Sequence, residues 1–271
     1  MKNIKLIVFD LDGTLLNDER ELSENNIKTI KKLLNNNVKI VIATGRPFAG
    51  FSRFLKQLGT LGKGNYSITN TGSIVRENVE NGNIKTRALN INDYLFVNEL
   101  TNIYEGIQTC IYTDDYIYID EQSPNNAFIH DKNILRMVTR NTDAYCNEPI
   151  CRINVMGEKE LLDKFQQENL SILEKKYATV RNETFSYEIL NKNSSKGKAL
   201  KFLAEYLNID RNQIMAFGDN VNDIEMIEYA GVSVAMGNGK DVLKSKADYI
   251  AKSNSEDGVA RFLIDYFELM N

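Results

Sequence analysis

Along the first third of the chain the apolar positions switch repeatedly between two periods. "KLIVFDL" (Lys5 to Leu11) is a short continuous apolar run, "SENNIKTIKKLLNNN" sets Ile27, Ile30, Leu33 and Leu34 at helical spacing behind a candidate N-cap at Ser23, and "VKIVIATG" is again β-branched. "FAGFSRFLKQLG" predicts a second helix ending at Gly59, "YSITNTGSIV" a third strand, and "VRENVENGNIKT" carries an Asn-Gly hairpin signal. Strand, helix, strand units of this kind imply a parallel sheet with helices on its faces.

From about Ile84 to Tyr187 the rhythm changes. "CIYTDDYIYID" alternates tyrosines around an acidic turn at Asp114-Asp115, "CRINVM" follows, then a long helical stretch "EKELLDKFQQENLSILEKK" and two short strands, "YATV" and "FSYEIL". The first rhythm then returns with helix "SKGKALKFLAEYLN", strand "QIMAFGD", helix "NDIEMIEYA", strand "GVSVAM", helix "KDVLKSKA", strand "DYIA" and a terminal helix "DGVARFLIDYFEL". The expected fold is α/β: a doubly wound, Rossmann-like parallel-sheet core formed by residues 1–83 and 188–271, with an α+β domain inserted at 84–187. No internal repeat or low-complexity tract alters this picture.

Composition narrows the function classes. The chain has 271 residues, 42% hydrophobic and 26% charged, with a formal charge of -4, which suits a folded protein with a sizeable core and gives no basic surface for nucleic acid. The apolar run in "MKNIKLIVFDLDG" is too short for a signal peptide, and no later stretch has the roughly 18 apolar residues of a membrane span, so a cytoplasmic location is expected. Cys110, Cys146 and Cys151 contain no CxxC and are expected to be reduced, buried thiols. His130 is the only histidine, so acid-base chemistry must fall to carboxylates. His130 itself receives no role.

In an open parallel sheet ligands sit beyond the carboxyl ends of the strands, and the polar residues of this chain gather there. Asp10-Leu11-Asp12-Gly13-Thr14 follows the first strand, Thr44-Gly45-Arg46 the second, Asn70-Thr71-Gly72 the third, and Gly218-Asp219-Asn220-Val221-Asn222-Asp223 the strand "IMAF"; Lys196 opens a later helix. Asp10, Asp219 and Asp223 offer the oxygen ligands that magnesium prefers. Lys196, the Thr44 hydroxyl and the Asn222 amide are suited to orient phosphoryl oxygens. Without a cation, several carboxylates around one crevice would repel one another and favour protonation. Asp10 is the candidate nucleophile, forming an aspartyl-phosphate, and Asp12, two residues on, the candidate acid-base group. Gly13 lets the chain leave the strand sharply, and the Thr14 hydroxyl is expected to fix that turn.

The ordered motifs "DLDGT", "IATGR", "SKGKAL" and "GDNVND" resemble those of the haloacid dehalogenase-like phosphatase superfamily. "NTGSIV", "AFGDNVNDIEM", "VAMGNG" and "EDGVARFL" are similar to its Cof-type subfamily, which carries a large α/β cap between the second and third motifs. The resemblance implies Asp10 as nucleophile and metal ligand, Asp12 as acid-base group with its carbonyl on Mg2+, and Asp219 and Asp223 at the metal. It also implies Thr44, Gly45, Lys196 and Asn222 on phosphate. The segment before Lys196, "LNKNSS", lacks the glycine or proline that such proteins often carry there.

The resulting expectation is a magnesium-dependent phosphatase acting on a small phosphorylated metabolite, a sugar phosphate foremost, with no nucleic-acid or membrane partner. A phosphomutase on the same fold and a non-catalytic phospho-ligand-binding module are the alternatives. Oligomeric state is open, and a monomer is compatible with the sequence. Tyr112, Tyr116 and Tyr118 are expected to alternate between the faces of a cap sheet, and Arg46 to reach substrate or form a salt bridge at the rim.

Overall fold

The structure, a computed structural model, describes residues 3–120, 124–135 and 137–269, the side chain of Asn182 excepted. The outermost residues of the expected core segments, 1–2 and 270–271, lie outside it. The first part of the chain gives β1 (Leu6–Phe9), α1 (Glu24–Asn35), β2 (Lys39–Ala43), α2 (Ser52–Leu58), β3 (Gly62–Thr69), β4 (Ile74–Asn78) and β5 (Asn83–Thr86). The middle part gives α3 (Ile91–Thr101), β6 (Gln108–Tyr112), β7 (Tyr116–Ile119), α4 (Asn126–Leu135), β8 (Val138–Asn141), β9 (Arg152–Met156), α5 (Lys159–Lys176), β10 (Tyr177–Glu183) and β11 (Ser186–Asn191). The last part gives α6 (Lys196–Tyr206), β12 (Ile214–Gly218), α7 (Ile224–Tyr229), β13 (Val232–Ala235), α8 (Asp241–Lys244), β14 (Tyr249–Ile250) and α9 (Gly258–Phe267). These elements form two compact units: residues up to Gly45, Ser52–Ile84 and Ser195 onward make one, and Arg46–Phe51 with Lys85–Ser194 the other.

The first unit is built on an eight-stranded sheet of order β14-β13-β12-β1-β2-β3-β4-β5. Its strands from β14 to β3 are parallel, and β4 pairs antiparallel with β3. Every residue of β1 is buried, because both faces of the strand are covered. Leu6 and Val8 pack with Ala199, Leu200 and Leu203 of α6 and Met226 of α7. On the other face Phe9 stacks on Phe217 at 5.0 Å, and Phe217 meets Phe262 of α9 edge-on at 5.5 Å. Each such side chain contributes roughly 1.5 to 3 kcal/mol by burial. Ser23 caps α1 as its position suggests, its hydroxyl accepting from the Asn26 N–H at 3.1 Å.

One expected element is divided. "YSITNTGSIV" is not a single strand but two antiparallel ones, β3 and β4, because Asn70, Thr71 and Gly72 all take positive φ (50, 54 and 88°) and reverse the chain. The β-forming residues on either side are in strands, as their composition suggests. The Asn-Gly signal downstream does mark a turn between β4 and β5, with Asn81 at φ 53°.

The second unit carries a six-stranded sheet of order β10-β11-β9-β6-β7-β8. Its pairs are antiparallel except β7 with β8. Val97 of α3 and Leu162, Phe165 and Leu173 of α5 pack with Ile111, Ile153, Val155 and Ile189, and Tyr116 and Tyr118 lie with this cluster. Tyr112 belongs to a separate cluster with Ile117, Ile119 and α4 residues Phe128 and Leu135. The tyrosines are thus divided between the two clusters. Helices α3 and α4 were not predicted: "INDYLFVNELT" scatters its apolar residues around the helix instead of confining them to one stripe. Arg152 and Glu188 form an almost fully buried ion pair at 3.0 Å, with the Arg152 guanidinium over the Tyr112 ring at 4.3 Å. Cys110 and Cys151 are buried as expected; Cys146 is exposed. No described helix is long and apolar enough to cross a membrane.

Because Glu188 neutralises a guanidinium removed from water, Glu188→Ala should destabilise the protein by about 3 to 5 kcal/mol in urea unfolding, far more than an exposed glutamate substitution does.

Candidate active site

The register of the sheet decides which residues meet. Phe9 stands level with Phe217 on one side and Ile42 on the other, so Asp10, Gly218-Asp219 and Ala43-Thr44 all leave the sheet at one edge. Here the chain order reverses, with β2 and β3 to one side of β1 and β12 and β13 to the other, which is where an open α/β sheet forms its crevice. Strand pairing continues one residue further, as the Asp10 N–H donates to the Phe217 carbonyl at 3.0 Å.

Beyond Asp10 the backbone wraps into a turn closed by the Leu16 N–H on the Leu11 carbonyl at 2.9 Å. Gly13 is required there: its φ is +79°, and a Cβ would stand 2.6 Å from Asp219 Oδ2. Asp12 is exposed on this turn. The Thr14 hydroxyl, expected to fix its own turn, instead donates to Asp219 Oδ1 at 2.8 Å, across 205 residues of sequence. The turn is braced from outside, the Asn238 amide donating to the Gly13 carbonyl at 2.8 Å. Asn238 is not among the residues the motifs single out; its signal in the sequence is an amide between two glycines in the loop after β13.

The centre of the site is charged and dry. Asp10, Asp219 and Asp223 each place a carboxylate oxygen within 4.8 Å of the others. Lys196, 1% exposed, sets its ammonium 2.5 Å from Asp10 Oδ1 and 2.7 Å from Asp223 Oδ1. The second oxygen of Asp223 accepts the N–H groups of Asp219 and Asn220 at 3.1 Å, which folds the "GDNVND" loop around its own carboxylate. Lys196 is the first residue of α6. Ser195 caps that helix by accepting from the Lys198 N–H at 3.1 Å, so the helix starts cleanly without a preceding glycine or proline.

Burial raises the Asp10 carboxyl well above its ordinary range, reinforced by the charges of Asp223 and Asp219 and opposed by Lys196. Burial, then the Asp223 charge, pushes Asp219 up to about 6. Burial alone would lower Lys196, yet Asp10 and Asp223 raise it. Three carboxylates around one ammonium leave excess negative charge. Their all-oxygen donor set, without histidine or cysteine, fits a hard divalent cation.

The remaining expected residues take these places. Thr44 is buried at the end of β2, its N–H donating to the Ile68 carbonyl at 2.9 Å and its carbonyl accepting from the Thr71 N–H at 3.1 Å; Gly45 follows, half-buried. Asn222 is half-buried, and its Oδ1 is shielded from solvent without a hydrogen-bond partner among the described residues. Arg46, expected to reach substrate or to form a salt bridge at the rim, is buried, and its guanidinium donates to the Gly50 carbonyl at 3.2 Å. His130 is exposed on α4, with its ring edge-on to Phe185 at 5.1 Å.

A family model for haloacid dehalogenase-like hydrolases matches residues 7–263, and the chain belongs to that family, in its Cof-type phosphatase branch. Among its relatives is the 5-amino-6-(5-phospho-D-ribitylamino)uracil phosphatase YitU of Bacillus subtilis, 31% identical over 97% of this chain and 98% of that one. Phosphatase YwpJ of the same organism is 30% identical over 96% and 99%. The solved structure of a haloacid dehalogenase-like hydrolase from Bacteroides thetaiotaomicron superposes with a TM-score of 0.88 at 26% identity, covering 97% of this chain and all of the other. The protein is a phosphatase-type hydrolase.

The raised carboxyls make a pH signature. A carboxyl whose pKa is higher in the folded protein stabilises the fold fully below its unfolded value and loses that contribution as pH rises through the folded one. With metal chelated, the melting temperature should therefore fall between about pH 4 and pH 6, and Asp219→Asn should flatten the fall, as measured by thermal denaturation across that range.

Proposed function

We propose that the protein is a magnesium-dependent phosphatase that hydrolyses small phosphorylated metabolites, sugar phosphates foremost, through an aspartyl-phosphate on Asp10. The observation that carries the reading is the Lys196 ammonium lodged between Asp10 and Asp223 inside a three-carboxylate cluster. Phosphoryl transfer asks for a nucleophile, a counter-charge for the phosphoryl oxygens and a site for a hard cation, and this group of side chains supplies all three. The substrate class is supported by the Bacillus subtilis relative, whose named substrate carries its phosphate on a ribityl chain.

In this reading an Asp10 carboxylate oxygen attacks phosphorus while Asp12 protonates the departing alcohol oxygen. Asp12, now a carboxylate, takes a proton from the water that attacks the aspartyl-phosphate, and Asp10 is released with inorganic phosphate. Lys196 orients the nucleophile and faces the phosphoryl oxygens with Thr44, Gly45 and Asn222. Asp10, Asp219 and Asp223, with the Asp12 carbonyl, would hold a magnesium ion, which would supply positive charge to balance the phosphoryl oxygens. The inserted segment, 84–187, serves as a cap domain that selects the leaving group.

Release of inorganic phosphate from a generic aryl phosphate tests the reading. Wild type should turn over with magnesium and stop with chelator, Asp10→Asn should be silent, and Asp12→Asn should lose about 10²- to 10⁴-fold in kcat. Undiminished turnover by Asp10→Asn overturns it.

A further inference from the structure

Nine described residues other than glycine have positive φ, and eight of them are asparagine, aspartate or long unbranched polar side chains. The ninth is Thr71, β-branched, 1% exposed, at φ 54°. A β-branched residue in the left-handed region is an outlier that persists only where its surroundings impose it, and such strain gathers at functional sites. Thr71 stands between Asn70 (φ 50°) and Gly72 (φ 88°) in the turn joining β3 to β4.

This turn touches two parts of the phosphate side of the site. The Thr71 N–H donates to the Thr44 carbonyl at 3.1 Å, one residue later than regular parallel pairing from Ile68 and Ala43 would place the bond. Gly72 lies against the start of α6 so closely that a Cβ would stand 2.2 Å from the Ser195 carbonyl oxygen and 2.9 Å from the Lys196 nitrogen. That same Ser195 carbonyl accepts the Ala199 N–H at 3.0 Å in the first turn of α6.

We infer that the Asn70–Gly72 turn is a positioning element, which sets the end of β2 at Thr44 and the start of α6 at Lys196 in fixed relation to each other. The inference rests on the reading above, in which Thr44 and Lys196 hold the phosphoryl group. Thr71 and Gly72 act through those residues; neither is placed on the substrate. The left-handed backbone brings the Thr71 N–H to Thr44 while presenting the bare face of Gly72 to the Ser195 peptide. Any side chain at 72 displaces the backbone that carries Lys196.

The full-length Gly72→Ala protein tests this against Gly59→Ala, a control of like strain, since Gly59 has φ +79° but a Cβ there meets nothing within 4 Å. Gly59→Ala should keep both kcat/KM for an aryl phosphate and the inhibition constant of inorganic phosphate within about twofold of wild type. Gly72→Ala, with unchanged far-ultraviolet circular dichroism, should lower kcat/KM and raise the phosphate inhibition constant, each by about tenfold or more. A folded Gly72→Ala with both constants at wild-type values overturns the inference. Should Gly72→Ala not fold, Thr71→Gly decides: glycine takes the left-handed backbone without strain but also admits other conformations, so the turn is held less rigidly and both constants should worsen about fivefold, and wild-type values overturn the inference. An inactive wild type would instead count against the phosphatase reading, which keeps the two failures apart.

Discussion

An ammonium group sealed from water must be matched by charge at hydrogen-bonding distance, and Lys196 is matched twice, by Asp10 and by Asp223. Each of the three sits on a different piece of backbone: the end of β1, the first turn of α6 and the loop after β12. The three pieces must therefore arrive together. Removing any one charge strands the others in a dry environment, so the arrangement is held by the penalty for dismantling it as much as by attraction within it. The sheet meets the constraint by placing β1 beside β12 in register, and Asp223 helps by drawing the Asp219 and Asn220 amides around its free side.

Excess negative charge is the other consequence of that arrangement. Burial, reinforced by the neighbouring carboxylates, keeps Asp10 and Asp219 poised toward protonation in the protein alone. A group intended only for structural pairing would be balanced internally. The imbalance, with an all-oxygen donor set, suits the cluster to a hard cation.

Much of this was legible in the sequence, for identifiable reasons. The apolar run before Asp10 reads as a strand buried on both faces, and strand ends in such a sheet converge, so Asp10, Lys196, Asp219 and Asp223 could be brought together on paper from pattern and topology. Residues whose partners are distant and uncharged were harder. Thr14 was read as a local turn residue because hydroxyls usually act locally, and its bond to Asp219 depends on a fold-wide approach. Asn238 carries no charge and no periodicity, and its bond to the Gly13 carbonyl exists only once the sheet is assembled. The turn at Asn70–Gly72 was missed since β-forming residues flank it, although Asn and Gly tolerate left-handed backbone. In the inserted unit α3 has no apolar stripe to announce it, and the burial of Arg46 against the Gly50 carbonyl is a contact that no sequence pattern marks.

The distance along the chain between Asp10 and Lys196, 186 residues, has a consequence for synthesis on the ribosome. Strand β1 leaves the tunnel early and pairs with β2, but its other edge stays open until β12 has been made. For most of translation the nascent protein exposes an apolar strand edge to its neighbours, while the middle unit, contiguous apart from a short segment, has all it needs to fold first. The charged cluster is completed late, so truncated products of this gene would carry Asp10 without the lysine that pairs with it.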